Sequence, residues 1–176
     1  AIGAVAPEAR ACFTRVLQGM IAISRLRWPV GLAGRDLDAL ARYPLWLAGQ
    51  DFNHGTGHGV GVYLSVHEGP QRLSRLSEVP LEPGMILSNE PGYYREGAFG
   101  IRIENLVLVE EAPPLPGGDA ARQMLCFRNL TWVPIDRMLV DCALLTRDEV
   151  AWWNQYHARV EALLAPQLSG ADLAWL

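Results

Sequence analysis

The 176-residue sequence contains no lysine: its fifteen basic side chains are all arginines, scattered along the chain and outnumbered by nineteen acidic residues, for a net charge of −4. A nucleic-acid binder needs basic side chains gathered into a stripe that tracks phosphates, so that class is excluded. Cysteine is scarce and odd in number. Cys12, Cys126 and Cys142 lie far apart and match neither a disulfide framework nor a zinc knuckle, which points to a reducing compartment, the cytoplasm. No apolar run approaches the roughly 18 residues a membrane span requires. The opening Ala1-Ile2-Gly3-Ala4-Val5-Ala6-Pro7 has neither the basic nor the long apolar region of a secretory leader. Internal repeats and low-complexity tracts are also lacking. What remains is a chain that is 50% hydrophobic, enough to build the core of one compact domain or a large piece of one.

The spacing of Phe13, Val16, Leu17, Met20 and Ile23 predicts a helix that starts at Pro7 and ends before Trp28-Pro29. A second helix is expected from Asp36 to Ala48, with Asp36 as N-cap and Gly49 just past its end. Strands are expected within Gly59–Leu64, Met85–Glu90, Gly100–Val109 and Thr131–Val140, each bounded by turn residues. The Pro/Gly-rich stretch Ala112–Gly118 reads as a surface loop. Thr146 with Glu149 three residues on forms a capping box for a last helix carrying Val150, Trp153, Tyr156, Val160 and Leu163. Helices and strands therefore segregate along the chain, which gives an α+β fold.

Three of the four histidines fall within fourteen residues, as His54-Gly-Thr-Gly-His58-Gly-Val-Gly and then His67-Glu68-Gly69-Pro70. The i, i+4 spacing of His54 and His58 would suit a helix, but each interposed glycine costs about 1 kcal/mol there. A loop running into a strand is the better reading, with glycine letting the backbone approach something closely. Solvated loop histidines are the bland alternative, and three clustered among glycines favour a site. Two carboxylates follow. Glu90 closes the apolar run Met85-Ile86-Leu87-Ser88-Asn89, and Glu104 sits within Gly100–Val109, where alternation puts Arg102, Glu104, Leu106 and Leu108 on one face. A carboxylate among apolar neighbours on a central strand must be paired or metal-bound. An Arg102–Glu104 ion pair on an exposed face is the competing reading for that strand. Glu68, before Gly-Pro, reads as a turn residue.

These residues resemble a family. Asp51-Phe52-Asn53-His54-Gly55-Thr56-Gly57-His58-Gly59-Val60-Gly61, His67-Glu68-Gly69-Pro70, Asn89-Glu90-Pro91-Gly92-Tyr93-Tyr94 and Gly100-Ile101-Arg102-Ile103-Glu104-Asn105 are similar to the C-terminal catalytic region of aminopeptidase P. These Xaa-Pro aminopeptidases are pita-bread metallopeptidases, along with prolidase, creatinase and methionine aminopeptidase. The closing Trp152-Trp153-Asn154-Gln155-Tyr156-His157 resembles that family's last helix, so the resemblance covers nearly the whole chain. His-Gly-Thr-Gly-His-Gly combined with His-Glu-Gly-Pro favours aminopeptidase P over prolidase.

The resemblance implies a partial pita-bread fold, a curved antiparallel sheet covered by helices, with residues 1–176 as the C-terminal portion of the catalytic domain. It implies two divalent cations, manganese with cobalt or zinc as alternatives, held by two Asp, one His and two Glu. His58 matches the histidine ligand, and Glu90 and Glu104 match the two glutamates, Glu104 in the bridging place. Oxygen-rich ligation with one imidazole suits a Mn(II)-like ion. Glu90 would also move the proton of the attacking water. His67 matches a proton-shuttling, carbonyl-stabilising histidine, His54 one that lines the substrate pocket, and Arg102 an arginine that orients a ligand aspartate from behind.

The family's two ligand aspartates belong upstream of the first helix, and Asp36, Asp38 and Asp51 do not replace them. The expectation is a fragment truncated at both ends, without the first metal-binding strands and with a sheet edge open. Three donors would hold at most one weakly bound ion, and the isolated chain would have little or no activity. The parent would act on peptides with proline second, as a cytoplasmic homodimer. Two alternatives are a prolidase-like Xaa-Pro hydrolase and a non-catalytic peptide-binding module. The presence together of His54, His58, His67, Glu90 and Glu104 speaks against the module.

Overall fold

The structure, a computed structural model, describes residues 5–176. Helix α1 (Pro7–Ser24) begins on Pro7, whose missing N–H costs nothing in a first turn, and Glu8 lies near the positive end of the helix dipole. Its apolar stripe, Phe13, Val16, Leu17, Met20, Ile21 and Ile23, is buried. Each such side chain contributes about 1.5–3 kcal/mol by leaving water. Helix α2 (Gly34–Trp46) packs closely on α1: a Cβ at Gly19 would overlap the Ala41 carbonyl oxygen. Asp36 stands in the first turn of α2 and not before it. Ala33 is the N-cap, and its N–H donates to the Asp36 carboxylate at 2.8 Å.

The main sheet has four antiparallel strands in the order β1–β8–β7–β4: β1 (Arg27–Pro29), β4 (Ile86–Asn89), β7 (Asn105–Glu111) and β8 (Met124–Asn129). Leu87 pairs with Val107 and Val109 with Phe127, so one face of the sheet is a continuous apolar surface. Ile23, Leu37 and Ala41 of α1 and α2 pack on it with Trp28, Leu73, Leu81 and Leu125. Two short ribbons flank the sheet, β2 (Gly57–His58) with β3 (Arg72–Leu73), and β5 (Gly92–Arg95) with β6 (Phe99–Arg102). Helix α3 (Arg147–Leu164) carries the expected capping box, Thr146 with Glu149, and seats Trp153, Tyr156 and Val160 against the other side of α1. A short α4 (Gly170–Trp175) follows. The α+β reading holds, and the loop between β7 and β8 covers Ala112–Gly118 as expected.

Three strand expectations fail, each for a physical reason. Of the Gly59–Leu64 stretch, only Gly59 bridges to Leu87. The chain then turns back, with the Gly61 N–H donating to the Ser65 carbonyl and Leu64 at φ +57°, and Val62, Tyr63 and Leu64 lie exposed. The β-branched run Thr131–Val140 is not a strand. The N–H groups of Val133 and Ile135 donate to the Tyr156 hydroxyl and His157 Nε2 of α3, and Asp136 caps a short 3-10 turn over Arg137–Leu139. The strand of this region is Met124–Asn129, which the pattern did not reveal. Gly100–Val109 divides between two sheets, β6 ending at Arg102 and β7 starting at Asn105. Edge strand β4 is partly covered: besides the Gly59–Leu87 bridge, the Val60 N–H donates to the Ile86 carbonyl.

Candidate metal centre

The break between β6 and β7 puts Glu104 outside both strands and exposed, in contrast to the expected buried strand position. Its carboxylate nevertheless converges with two other donors. One ligand atom each from His58, Glu90 and Glu104 lies within 4.8 Å of the others. The competing reading, an Arg102–Glu104 ion pair on a shared strand, does not hold, because β6 ends at Arg102 and Glu104 lies outside both strands. Arg102 Nε lies 3.6 Å from Glu90 Oε2.

Backbone bonds fix two of the three donors. The Glu90 N–H donates to the Thr56 carbonyl at 2.7 Å, and the His58 N–H donates to Ser88 Oγ at 2.9 Å. Ser88 Oγ in turn donates to Glu90 Oε1 at 2.9 Å, so one buried hydroxyl ties the two donors together. Gly57 is required here because a Cβ would overlap the Ser88 carbonyl oxygen. His58 Nδ1 lies 2.9 Å from the Gly59 carbonyl oxygen and must donate to it. That leaves Nε2, which faces Glu90 Oε1 at 3.2 Å, as the ring nitrogen able to take a metal. An imidazole nitrogen and two carboxylate groups form a nitrogen–oxygen donor set suited to a divalent cation, so these residues fit such an ion.

Around this cluster stand the other expected residues. The exposed His67 sets its ring at 79° to that of His58, with centroids 4.1 Å apart. His54 Nδ1 donates to the Gly55 carbonyl at 2.8 Å, leaving Nε2 to accept from the Tyr94 hydroxyl at 2.9 Å. Arg102 Nε donates to the same hydroxyl at 3.1 Å. The chain Arg102–Tyr94–His54 therefore runs beside the donor cluster. The Arg102 guanidinium is held in its charged form by the Tyr94 hydrogen bond and then by Glu90 and Glu104 nearby.

Ser88 and Tyr94 were not singled out by sequence reasoning. A serine inside an apolar strand two residues before a candidate ligand was the available signal for the first. Asp38 and Arg42 were also missed as contributors. They stand four apart on α2 among Leu37, Ala41 and Leu45, and a charged pair inside an apolar stripe is itself a signal.

An α+β fold with convergent histidine and glutamate donors is the arrangement a metal-dependent hydrolase needs. The chain belongs to metallopeptidase family M24, whose sequence model matches residues 1–111, with the C-terminal region of peptidase M24 matching residues 123–176. It is 47% identical over 170 residues to aminopeptidase P1 of Lotus japonicus, covering 95% of this chain and 26% of that protein. It is 51% identical over 175 residues to aminopeptidase P2 of Arabidopsis thaliana, covering 97% and 24%. Among solved structures it is similar to X-prolyl aminopeptidase from Caenorhabditis elegans, a cytosolic enzyme with a di-nuclear active site (TM-score 0.87, 40% identity, 97% of this chain and 27% of that one). Xaa-Pro dipeptidase from Bacillus anthracis matches over 61% of this chain and 30% of its own (TM-score 0.56, 36% identity). The chain thus spans about a quarter of the length of the curated relatives it matches. The pita-bread expectation agrees with these neighbours. No helix among the described residues is long and apolar enough to cross a membrane.

Proposed function

We propose that residues 1–176 form the C-terminal portion of the catalytic domain of an Xaa-Pro aminopeptidase, which removes an N-terminal residue preceding proline. The observation that carries this reading is the convergence of His58, Glu90 and Glu104 within 4.8 Å, with His67 packed on His58. Identity of 47% and 51% to aminopeptidases P1 and P2 over 95% and 97% of the chain supports the aminopeptidase over a prolidase-like hydrolase.

His58 Nε2, Glu90 and Glu104 would hold the cation, manganese being the ion this donor set suits. Bound divalent cations polarise a carbonyl and make water a nucleophile at neutral pH. The chain's own residues supply the rest. Glu90, 9% exposed and anchored by Ser88, takes up the proton of the attacking water. His67, exposed at the mouth of the cluster, shuttles protons and steadies the developing charge on the scissile carbonyl oxygen. His54, oriented by Tyr94, lines the pocket on the proline side. Arg102 stands behind Glu90 and steadies its carboxylate. Three protein donors hold one ion weakly, so the chain by itself has little or no activity. The enzyme works in the cytoplasm as a homodimer on peptides with proline in second place.

Calorimetric titration of the chain with Mn(II), with His58→Ala as control, tests the donor set. Weak binding of one ion or less, abolished by the substitution, is the expected result. Absence of binding overturns the metal reading, and tight binding of two ions overturns the donor count. Robust, chelator-sensitive cleavage of an Xaa-Pro tripeptide would overturn the inactivity of the chain alone. Preference for an Xaa-Pro dipeptide would favour the prolidase-like reading.

A further inference from the structure

Two charged side chains stand on the core-facing side of α2: Asp38 is 0% exposed and Arg42 is 3% exposed. A buried ion pair of this kind is weak evidence for stability, because desolvation offsets most of the attraction. What the pair holds is more informative. All five N–H donors of Arg42 are engaged. Nε donates to Asp38 Oδ2 at 2.6 Å, Nη1 to Asp51 Oδ1 at 2.8 Å and the Phe52 carbonyl at 2.6 Å, and Nη2 to Asp38 Oδ1 at 3.2 Å and the His54 carbonyl at 2.6 Å. Asp38 Oδ1 also accepts from the Thr56 N–H at 3.2 Å and its hydroxyl at 2.7 Å. The Phe52 ring lies under the guanidinium, 3.9 Å from its centre. One turn of α2 therefore grips the 51–56 segment by five hydrogen bonds to four of its residues, Asp51, Phe52, His54 and Thr56. The grip continues into the site, since the Thr56 carbonyl accepts the Glu90 N–H.

We propose that Asp38 and Arg42 are positioning residues for the metal centre, setting the backbone that carries His54 and His58 and, through Thr56, the backbone of Glu90. This inference rests on the metallopeptidase reading of the site. A lysine at position 42 would place three donors on one point charge and cannot span two carboxylates and two carbonyls. Thr56→Val would remove one link between the pair and the segment and leave the ion pair in place.

The test uses the 176-residue chain with Arg42→Lys and Thr56→Val, read by amide hydrogen exchange and by Co(II) titration followed in the visible spectrum. Arg128→Gln, in an exposed pair with Glu110, is the control. The expected result is faster exchange confined to residues 53–58 and Glu90, with Co(II) affinity reduced about tenfold or more. Unchanged exchange and affinity in both variants would overturn the proposal. So would a loss of protection spread evenly over α1 and the main sheet, which marks a merely structural role. If Arg42→Lys cannot be obtained folded, Thr56→Val decides alone. If the wild-type chain takes up no Co(II), the metal reading of this chain fails, and localised exchange still decides the positioning role.

Discussion

Replacing Ser88 with alanine isolates the hydroxyl that joins two of the candidate ligands. Its Oγ accepts from the His58 N–H at 2.9 Å and donates to Glu90 Oε1 at 2.9 Å, and Ser88 is 0% exposed. Water cannot easily take the place of the lost oxygen in so closed a position. The His58 N–H left without a partner costs about 1–3 kcal/mol, and the lost bond to a charged carboxylate is of similar size. A combined destabilisation of about 2–4 kcal/mol follows, a large share of the roughly 5–15 kcal/mol that holds a typical domain together. In a chain of this size that lowers the melting temperature by roughly 5–15 °C. Urea unfolding of the wild type, Ser88→Ala, Glu90→Gln and the double variant would measure the total and the Ser88–Glu90 coupling. The coupling is expected at about 0.5–3 kcal/mol. A single-variant cost below about 0.5 kcal/mol, together with an additive cycle, would refute the claim that this hydroxyl organises the two donors.

Two further substitutions address the helices. His157 Nε2 accepts the Ile135 N–H at 2.9 Å, and burial pushes its pKa below the ordinary value of 6.5. The unfolded chain therefore takes up the proton first, so this contribution is present above about pH 6.5 and is lost as pH falls through the lowered folded value. His157→Gln should flatten the fall in melting temperature between pH 7.5 and 5, and an unaltered slope would sink the assignment. Gly19→Ala drives a Cβ into the Ala41 carbonyl oxygen and should cost about 1–3 kcal/mol by separating α1 from α2. Urea unfolding within about 0.5 kcal/mol of wild type would show that the helices slide apart freely.

The legible parts of the fold were those whose signal is local. Pro7, the apolar spacing from Phe13 to Ile23, and the Thr146–Glu149 box determine where α1 and α3 begin whatever the rest of the chain does. Strands depend on partners, and there the reading slipped. Thr131–Val140 has the composition of a strand, but its N–H groups are claimed by Tyr156 and His157 of α3. Met124–Asn129 mixes sulfur, apolar and charged residues and still pairs with β1 and β7. In the candidate site, His54, His58, His67, Glu90 and Glu104 stand out from the sequence because histidine among glycines and carboxylates beside apolar runs have few ordinary uses, and the structure brings His58, Glu90 and Glu104 together. Ser88, Asp38 and Arg42 have many ordinary uses. Only their burial gives them meaning, and burial comes from packing between elements far apart in the chain.

The three candidate donors are not equivalent, and the difference bears on how such a centre takes up an ion. His58 and Glu90 have their backbones bonded into the neighbouring strand and segment, and Ser88 fixes the orientation of the Glu90 carboxylate before any ion arrives. The backbone beside Glu104 is held by the Ile103 N–H, which donates to the Pro91 carbonyl at 3.3 Å, and by Asn105 pairing with Asn89, while its carboxylate has the Arg102 charge nearby. Among the described residues its exposed carboxylate accepts no hydrogen bond. Ordering a glutamate side chain costs up to about 1.5–2 kcal/mol of rotamer freedom. An ion binding here therefore gains a preformed pair at little entropic cost and must itself immobilise the third ligand. The rigid pair sits where β4 ends at Pro91. The exposed ligand sits in the gap between β6 and β7, which belong to different sheets.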